Sequence, residues 1–474
     1  MNKSRTNSPR HPRLRPLAAC LMVSCSLGAV ATNAGATIAD GVRAPPISLD
    51  VTNCDDDGAG SLRAAVGAAV SGDTIDLTAL ACGTITLTTG FIAVPQDDLT
   101  LLGPGAAALS IDGGAQYGVL RHSGSGTLSL SGLAFAHGHH ESATAPRGGC
   151  LYSAANMSVT DSTLSYCAAV GTNSALTLGG AIYTHGDLTL LRTGVTDSHA
   201  QGMASGAHGG GVYVQGNFTA TDSTISRNQA YGAPINGGQG GGAMIAGTAN
   251  VKGTTISENG AYSVGGLYTM GEVHLDSSTI SDNGASHTAG MRAIYTSGSP
   301  TATIVNSTIA YNHSVATVGG LNLIIPATIS NSTIAFNEAF NGLAGVLMSG
   351  PTLDLESTII AGNVGFNVPD DFQVYGSPVI TGANNLVVAS SATLPPDTLT
   401  DDPLMGVLGD YGGPTQTIPL MDGSPAIDAG NNVAALQTDQ RGPGFQRVAG
   451  AGADIGAFEV QGSDVIFADG FDPP

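Results

Sequence analysis

Between Asp161 and Asn363 the chain writes one short phrase eight times. It reads Asp161-Ser-Thr-Leu-Ser165, Arg192-Thr-Gly-Val-Thr196, Asp222-Ser-Thr-Ile-Ser226 and Gly253-Thr-Thr-Ile-Ser257. Ser277-Ser-Thr-Ile-Ser281, Asn306-Ser-Thr-Ile-Ala310, Asn331-Ser-Thr-Ile-Ala335 and Glu356-Ser-Thr-Ile-Ile360 follow. The central apolar residues stand at 164, 195, 225, 256, 280, 309, 334 and 359, a period of 24 to 31 residues. A repeat of that size specifies a stack of similar supersecondary units, each contacting only its neighbours.

Within a unit, as in Gly179 to Ser198, a glycine pair is followed by a short apolar stretch, a turn, alternating apolar and polar positions, and the phrase. Alternation over four to six residues marks strands, and no window keeps a helical period for ten residues. Each unit therefore offers two or three short strands, which bury their inner face only by stacking coil on coil, about 4.8 Å apart. Stacking aligns identical residues in columns. The apolar residue of the phrase points into a dry core. Asn228, Asn259, Asn283, Asn312 and Asn337, each three residues later, form a hydrogen-bonded ladder at a corner whose left-handed backbone Asn tolerates. Glycines at 149, 180, 211, 242, 266, 290, 320 and 345 turn a second corner. The fold expected is an all-β, right-handed, single-stranded parallel β-helix of ten to twelve coils, a rod on the order of 50 Å long. A propeller wants four strands in about 40 residues, and a leucine-rich array wants its own Leu spacing; neither is present.

Composition bounds the partners. The chain has 474 residues, 68 Gly, 5% aromatics and no Trp, which suits a solenoid with many corners. Residues 1–16 hold five cations and no acid, and Leu17 to Ala31 is apolar and small, with small-x-small sites at Ala29-Val-Ala31 and Ala34-Gly-Ala36. This reads as an export signal over 1–36, with acylation at Cys20 or Cys25 as a lipoprotein alternative. Without those residues the chain keeps 10 of its 15 cations and all 36 acids, a formal charge of −26, and Lys252 is its one lysine. Such a chain does not neutralise phosphates, which excludes nucleic acid as a partner. Apart from the signal, no apolar run is long enough to span a bilayer. Cys54, Cys82, Cys150 and Cys167 remain, an even count in an exported chain. Of their three connectivities, Cys54–Cys82 with Cys150–Cys167 is the most local; no Cys-x-x-Cys supports a metal.

A solenoid needs caps. Ser61 to Val70 is the best helix candidate: Ser61 caps it, and Leu62, Ala65, Val66 and Ala69 share a face. After Asn363 the text changes to Gly409-Asp-Tyr-Gly-Gly-Pro-Thr-Gln-Thr-Ile418, Gly423-Ser-Pro-Ala-Ile-Asp-Ala-Gly430, Asp439-Gln-Arg-Gly442 and Asp454-Ile-Gly-Ala-Phe-Glu459. Together with Gly60-Ser-Leu-Arg63, these motifs resemble the choice-of-anchor Q domain proteins, bacterial β-helices of the pectate-lyase-like superfamily. The ending Asp464-Val-Ile-Phe-Ala-Asp-Gly-Phe-Asp472 is similar to short tails on exported proteins of Gram-negative bacteria, and the choice-of-anchor Q resemblance implies an exported, often surface-associated protein. It divides the chain into a signal (1–36), a cap with the first strands (37–100), coils (101–380), a C-terminal capping segment of choice-of-anchor Q type (381–460) and a short tail (461–474). Arg441 and Arg447 lie among Asp428, Asp439, Asp454 and Glu459. Ion pairs among them, Arg441 and Asp454 included, are expected to lock the C-terminal segment onto the last coil.

No catalytic, cofactor or metal residue is assigned. A polyuronate lyase needs carboxylates that gather Ca²⁺ beside an Arg or Lys base, and a glycoside hydrolase needs acids on adjacent coils. Asp161, Asp222, Asp276 and Glu356 precede or open their phrases, but the intervening coils carry Arg192, Gly253, Asn306 and Asn331. The His137-Gly-His-His140 cluster has no carboxylate spaced for a metal. Asp55-Asp-Asp57, Asp370-Asp371 and Asp401-Asp402 read as loop acids, with Ca²⁺ as the alternative. Tyr152, Tyr183, Tyr213, Tyr268 and Tyr295 recur after the glycines, as a packing ladder or a sugar-stacking face. The expectation is a monomeric, non-enzymatic scaffold for polysaccharide or surface proteins; the alternative is a polysaccharide-active enzyme, a polyuronate lyase above all.

Overall fold

In the computed structural model the described residues are 45–462, apart from 174, 204–205, 233–236 and 367; the expected export signal and nearly all of the expected tail lie outside them. A compact unit begins at Pro46. It is a parallel β-helix, with the right-handed winding that parallel crossovers take. The first two coils visit three sheets, as expected, and from Thr127 to Val374 each coil visits four. One coil runs Leu188–Leu191, Gly194–Thr196, His199–Gln201 and Val212–Val214. These belong to a long sheet of 13 strands, a phrase sheet of 12, a corner sheet of 10 and a tyrosine sheet of 11. Strands of two or three residues, as in the corner sheet, are too short to show alternation, which is why the sequence understates their number. Every named pair is parallel except Val364–Gly365 with Val368–Pro369.

The core is one column-built cluster. Val195, Ile225, Ile256, Ile280, Ile309 and Ile334 stand in register and are fully buried. The next partner of Ile334 is Ile360, not Ile359. The eighth phrase is therefore shifted by one: Ile360 fills the core, and Ile359 packs outward against the C-terminal segment.

The ladder is longer than its five Asn. The amide N–H and the Nδ2 of Asn228 both donate to Oδ1 of Asn259, at 2.9 and 3.1 Å. The same double bond repeats through Asn283, Asn312, Asn337 and Asn363. It ends on the buried carboxylate of Asp371. Each Nδ2 also donates to a carbonyl of the preceding coil, as Asn283 does to Ile256 at 2.9 Å. The left-handed residue is not the Asn but the one before it: Arg227, Glu258, Asp282, Tyr311 and Phe336 have φ of 55 to 56°. The glycine column also has a different cause. A Cβ on Gly211, Gly242 or Gly266 would stand 2.9–3.0 Å from the Nδ2 or Cγ of the ladder Asn that follows it, Asn228, Asn259 or Asn283. These glycines make room for the ladder. Gly149 and Gly180 belong to the neighbouring column; in register with Gly211 stand Ala181 and Cys150. Their counterparts in the Asn column are Ser198 and Cys167. The Cys150–Cys167 disulfide thus takes the place of a Gly–Asn pair at the start of the ladder. A second ladder uses the Ser or Thr of the phrase, from Thr193 through Ser223, Thr254, Ser278 and Ser307 to Ser332.

At the first end, helix α1 (Leu62–Ala68) covers the core with Leu62 and Val66. Ser61 Oγ accepts from the Ala64 N–H. The guanidinium of Arg63 holds Asp56 and the carbonyls of Gly90 and Phe91. Cys54 and Cys82 are bonded beside it. At the other end Ala392 and Leu394 pack against the core. The chain then does not stay at the last coil. It turns back along the outside of the phrase sheet. Thr279 and Thr308 donate to Gln416 O and Gln440 Oε1, both at 2.6 Å, and Thr333 accepts from the Ala457 N–H. The Thr of the phrase is exposed at 163 and 224 but buried at 279, 308 and 333.

Candidate ligand-binding groove

The corner sheet places one residue per coil three positions after each ladder Asn. The row is Tyr231, Tyr262, Ser286, Val315, Phe340 and Phe366, following Asn228, Asn259, Asn283, Asn312, Asn337 and Asn363. Its large members are open: Tyr231 51%, Tyr262 42%, Val315 55%, Phe340 60% and Phe366 59% exposed. Strand register fixes the row, since Gln229, Gly260, Gly284, His313, Glu338 and Val364 pair in series just before it. Large aromatic side chains left in water in an axial line are unlike the scattered apolar residues of an ordinary surface.

The first half of this row borders a groove of about 650 Å³. Tyr231 and Tyr262 form one wall, Glu258 and Asp282 the other, with Gly260 and Gly284 between them. The glycines leave the middle free of side chains. The Tyr262 ring is held edge-on by His287 at 5.1 Å. Arg227, at the rim, is committed: its Nε and Nη2 donate to the two carboxylate oxygens of Asp197 at 2.8 and 3.0 Å, and Glu258 lies 3.9 Å away. The hydrogen bond with Asp197 holds the guanidinium pKa above its usual value. A base needs the opposite shift.

The other sequence candidates fall into structural places. Tyr152, Tyr183 and Tyr213 stack at 5.4 and 5.6 Å, with Arg121 over Tyr152 and Arg147 over Tyr183. Tyr183 is 2% exposed, so this column packs the outer face of its sheet rather than offering an open platform. Burial raises the phenols of Tyr183, Tyr213 and Tyr268. Tyr295 does not join the column; Arg292 holds the place next to Tyr268. The histidines diverge. His137 stacks on Tyr166 and meets Asp112, whereas His140 accepts the Arg147 N–H and is pushed by burial down to about 4. Before the phrases, Asp161 pairs with Arg192 and Asp276 with Lys252, so charge alternates along the stack.

Arg441 and Arg447 are fully buried. Arg441 pairs with Asp439 at 2.7 Å and lies between the rings of Phe445 and Phe458, at 3.9 and 3.7 Å. Arg447 pairs with Glu459 at 3.0 Å and donates to the carbonyl of Asp454. The carboxylate of Asp454 accepts from the N–H groups of Asp428 and Val460. Burial raises Asp454 and brings Glu459 to about 7, and it lowers Arg447. Every one of these contacts knits the C-terminal segment to itself or to the phrase sheet. Among the described residues no three His, Cys, Asp or Glu side chains gather as a metal would require.

Sequence reasoning missed the open row. Its signal was present as an aromatic or apolar residue at a constant offset from the Asn, but Ser286 interrupts it.

The strand ladder makes this chain a parallel β-helix. No family model matches it, and no curated protein does. Among solved structures it is similar to the pectate lyase Pel9A, at 14% identity over 88% of this chain and 97% of that one, with a TM-score of 0.36. It is also similar to the catalytic unit of a GH87 α-1,3-glucanase from Streptomyces thermodiastaticus, at 14% identity over 75% of this chain and 70% of that one, with a TM-score of 0.32.

Proposed function

We propose that this protein is an exported, non-enzymatic scaffold of the choice-of-anchor Q type that holds a neutral polysaccharide along its corner sheet. The observation that carries the reading is the exposed axial row from Tyr231 to Phe366 beside the groove. Aromatic faces stack on sugar rings, and a rigid sheet holds them without loss of order on binding. The groove wall is acidic through Glu258 and Asp282, and the chain beyond its export signal has a formal charge of −26. A polyuronate is repelled by both; a neutral glycan accepts the carboxylates as hydroxyl acceptors. Two disulfides fit export to an oxidising compartment, and no described helix is long and apolar enough to cross a membrane.

A second reading rests on Glu258 and Asp282, two carboxylates on consecutive coils at one groove wall, the arrangement a glycoside hydrolase uses. One experiment separates the readings. Wild type, Y231A/Y262A and E258Q/D282N are titrated with neutral and uronic polysaccharides, and reducing ends are followed with and without Ca²⁺. The scaffold predicts binding of a neutral glycan, its loss in Y231A/Y262A, and no new reducing ends. Reducing ends that vanish in E258Q/D282N would establish the hydrolase instead.

A further inference from the structure

A second cavity lies where the C-terminal segment arches over the last coils. Its volume is about 690 Å³, within the range of small-molecule sites. Phe336, Met405 and Met421 supply apolar walls, and Asp371, Asp402 and Asp422 face it as well. No Lys, Arg or His is among its described lining residues. The three carboxylates differ. Asp371 is buried and accepts from Asn363 and the Ala389 N–H, so the ladder has claimed it. Asp402 and Asp422 are exposed at the mouth; one oxygen of Asp402 accepts the Leu404 N–H at 2.9 Å. Phe336 stacks on Tyr311 at 5.2 Å and is half-buried. The cavity thus joins an aromatic face and two soft thioethers to negative charge that no cation among its described lining residues balances.

We infer that this cavity binds an organic ammonium ion carrying an apolar group. The ammonium sits between Asp402 and Asp422, where the carboxylates compensate its charge. The apolar body rests on Met405, Met421 and the Phe336 ring, whose face also attracts a cation. A neutral analogue loses the charge pairing and an anionic one meets repulsion. The walls come from both the coils and the C-terminal segment, so an occupant ties the two together and raises the melting temperature.

The test uses the whole protein with three probes of one shape: phenethylamine, 2-phenylethanol and phenylacetate. Calorimetric titration is expected to show saturable binding of the amine, a rise in Tm with amine concentration, and no saturable binding of the other two. D402N/D422N, which retains the oxygen that Leu404 uses, is expected to fold and to bind the amine about tenfold more weakly or worse. F336L keeps an apolar wall without the ring and is also expected to weaken the amine. The inference is overturned if the amine does not bind, if the alcohol binds equally well, or if folded D402N/D422N binds the amine like wild type.

Discussion

Asn283 shows what one residue does in this fold. It accepts from the N–H and Nδ2 of Asn259 and donates to Ile256 O and Asn312 Oδ1. Removing it leaves the buried N–H and Nδ2 of Asn259 without that acceptor, and the Ile256 carbonyl and Asn312 Oδ1 without that donor, each buried group left unpaired costing about 1–3 kcal/mol. N283A is therefore expected to lose about 3 kcal/mol or more in denaturant unfolding, while T189A, at an exposed strand position, changes little. Asp56 gives a pH signature. Burial opposes its ionisation, but bonds from Arg63 and from the amides and hydroxyls of Thr88 and Thr89 outweigh that and hold its pKa well below the usual 3.8. A depressed carboxylate stabilises the fold fully above its unfolded pKa and loses that effect as pH falls through the folded value. Amides of the first coils are expected to lose hydrogen-exchange protection in strong acid before those of the central coils. D56N is expected to show the same weakening at neutral pH.

At the scale of elements, the phrase was legible because it is written in side chains that must all do the same thing. The buried Ile column and the Asn ladder follow from stacking alone. What the sequence hid was offset and direction. The eighth phrase looks aligned at Ile359, yet the ladder selects Ile360, because Asn363 lies three residues after it. The glycines looked like turns, since a missing side chain shows no sign of whether backbone freedom or space is its purpose. Here the purpose is space. G266A puts a Cβ 2.5 Å from Gly290 O and 3.0 Å from Asn283 Nδ2. It is expected to destabilise by about 1–3 kcal/mol, the opposite of the gain that Gly to Ala brings at an unstrained open position. The first rung tests the same logic. C150A/C167S copies Ala181 and Ser198 in the next coil, so it is expected to lose about the 3 kcal/mol of a short disulfide loop, whereas C150S/C167A puts no hydroxyl at the ladder position and is expected to lose more.

At the scale of the molecule, the C-terminal segment is a clasp laid over the outer face of the phrase sheet, and its motifs are read most simply as the parts of that clasp. The sequence placed the right charges together but sent them to the last coil; a peptide that runs back over Ser277 to Ser357 leaves no local periodicity to reveal it. Breaking the pair is expected to be severe. R447A strands Glu459 in a buried place and is expected to cost about 3–5 kcal/mol. The proposed function divides the molecule in two: the recurring residues hold the solenoid, and the row that stands three positions beyond the Asn is proposed to meet the ligand. The direct measurement is glycan affinity and Tm, taken together on N283A and Y231A/Y262A. The division predicts that N283A lowers Tm and, while folded, binds the neutral glycan like wild type, whereas Y231A/Y262A keeps its Tm and loses binding. Unchanged binding with a lowered Tm in Y231A/Y262A would contradict it.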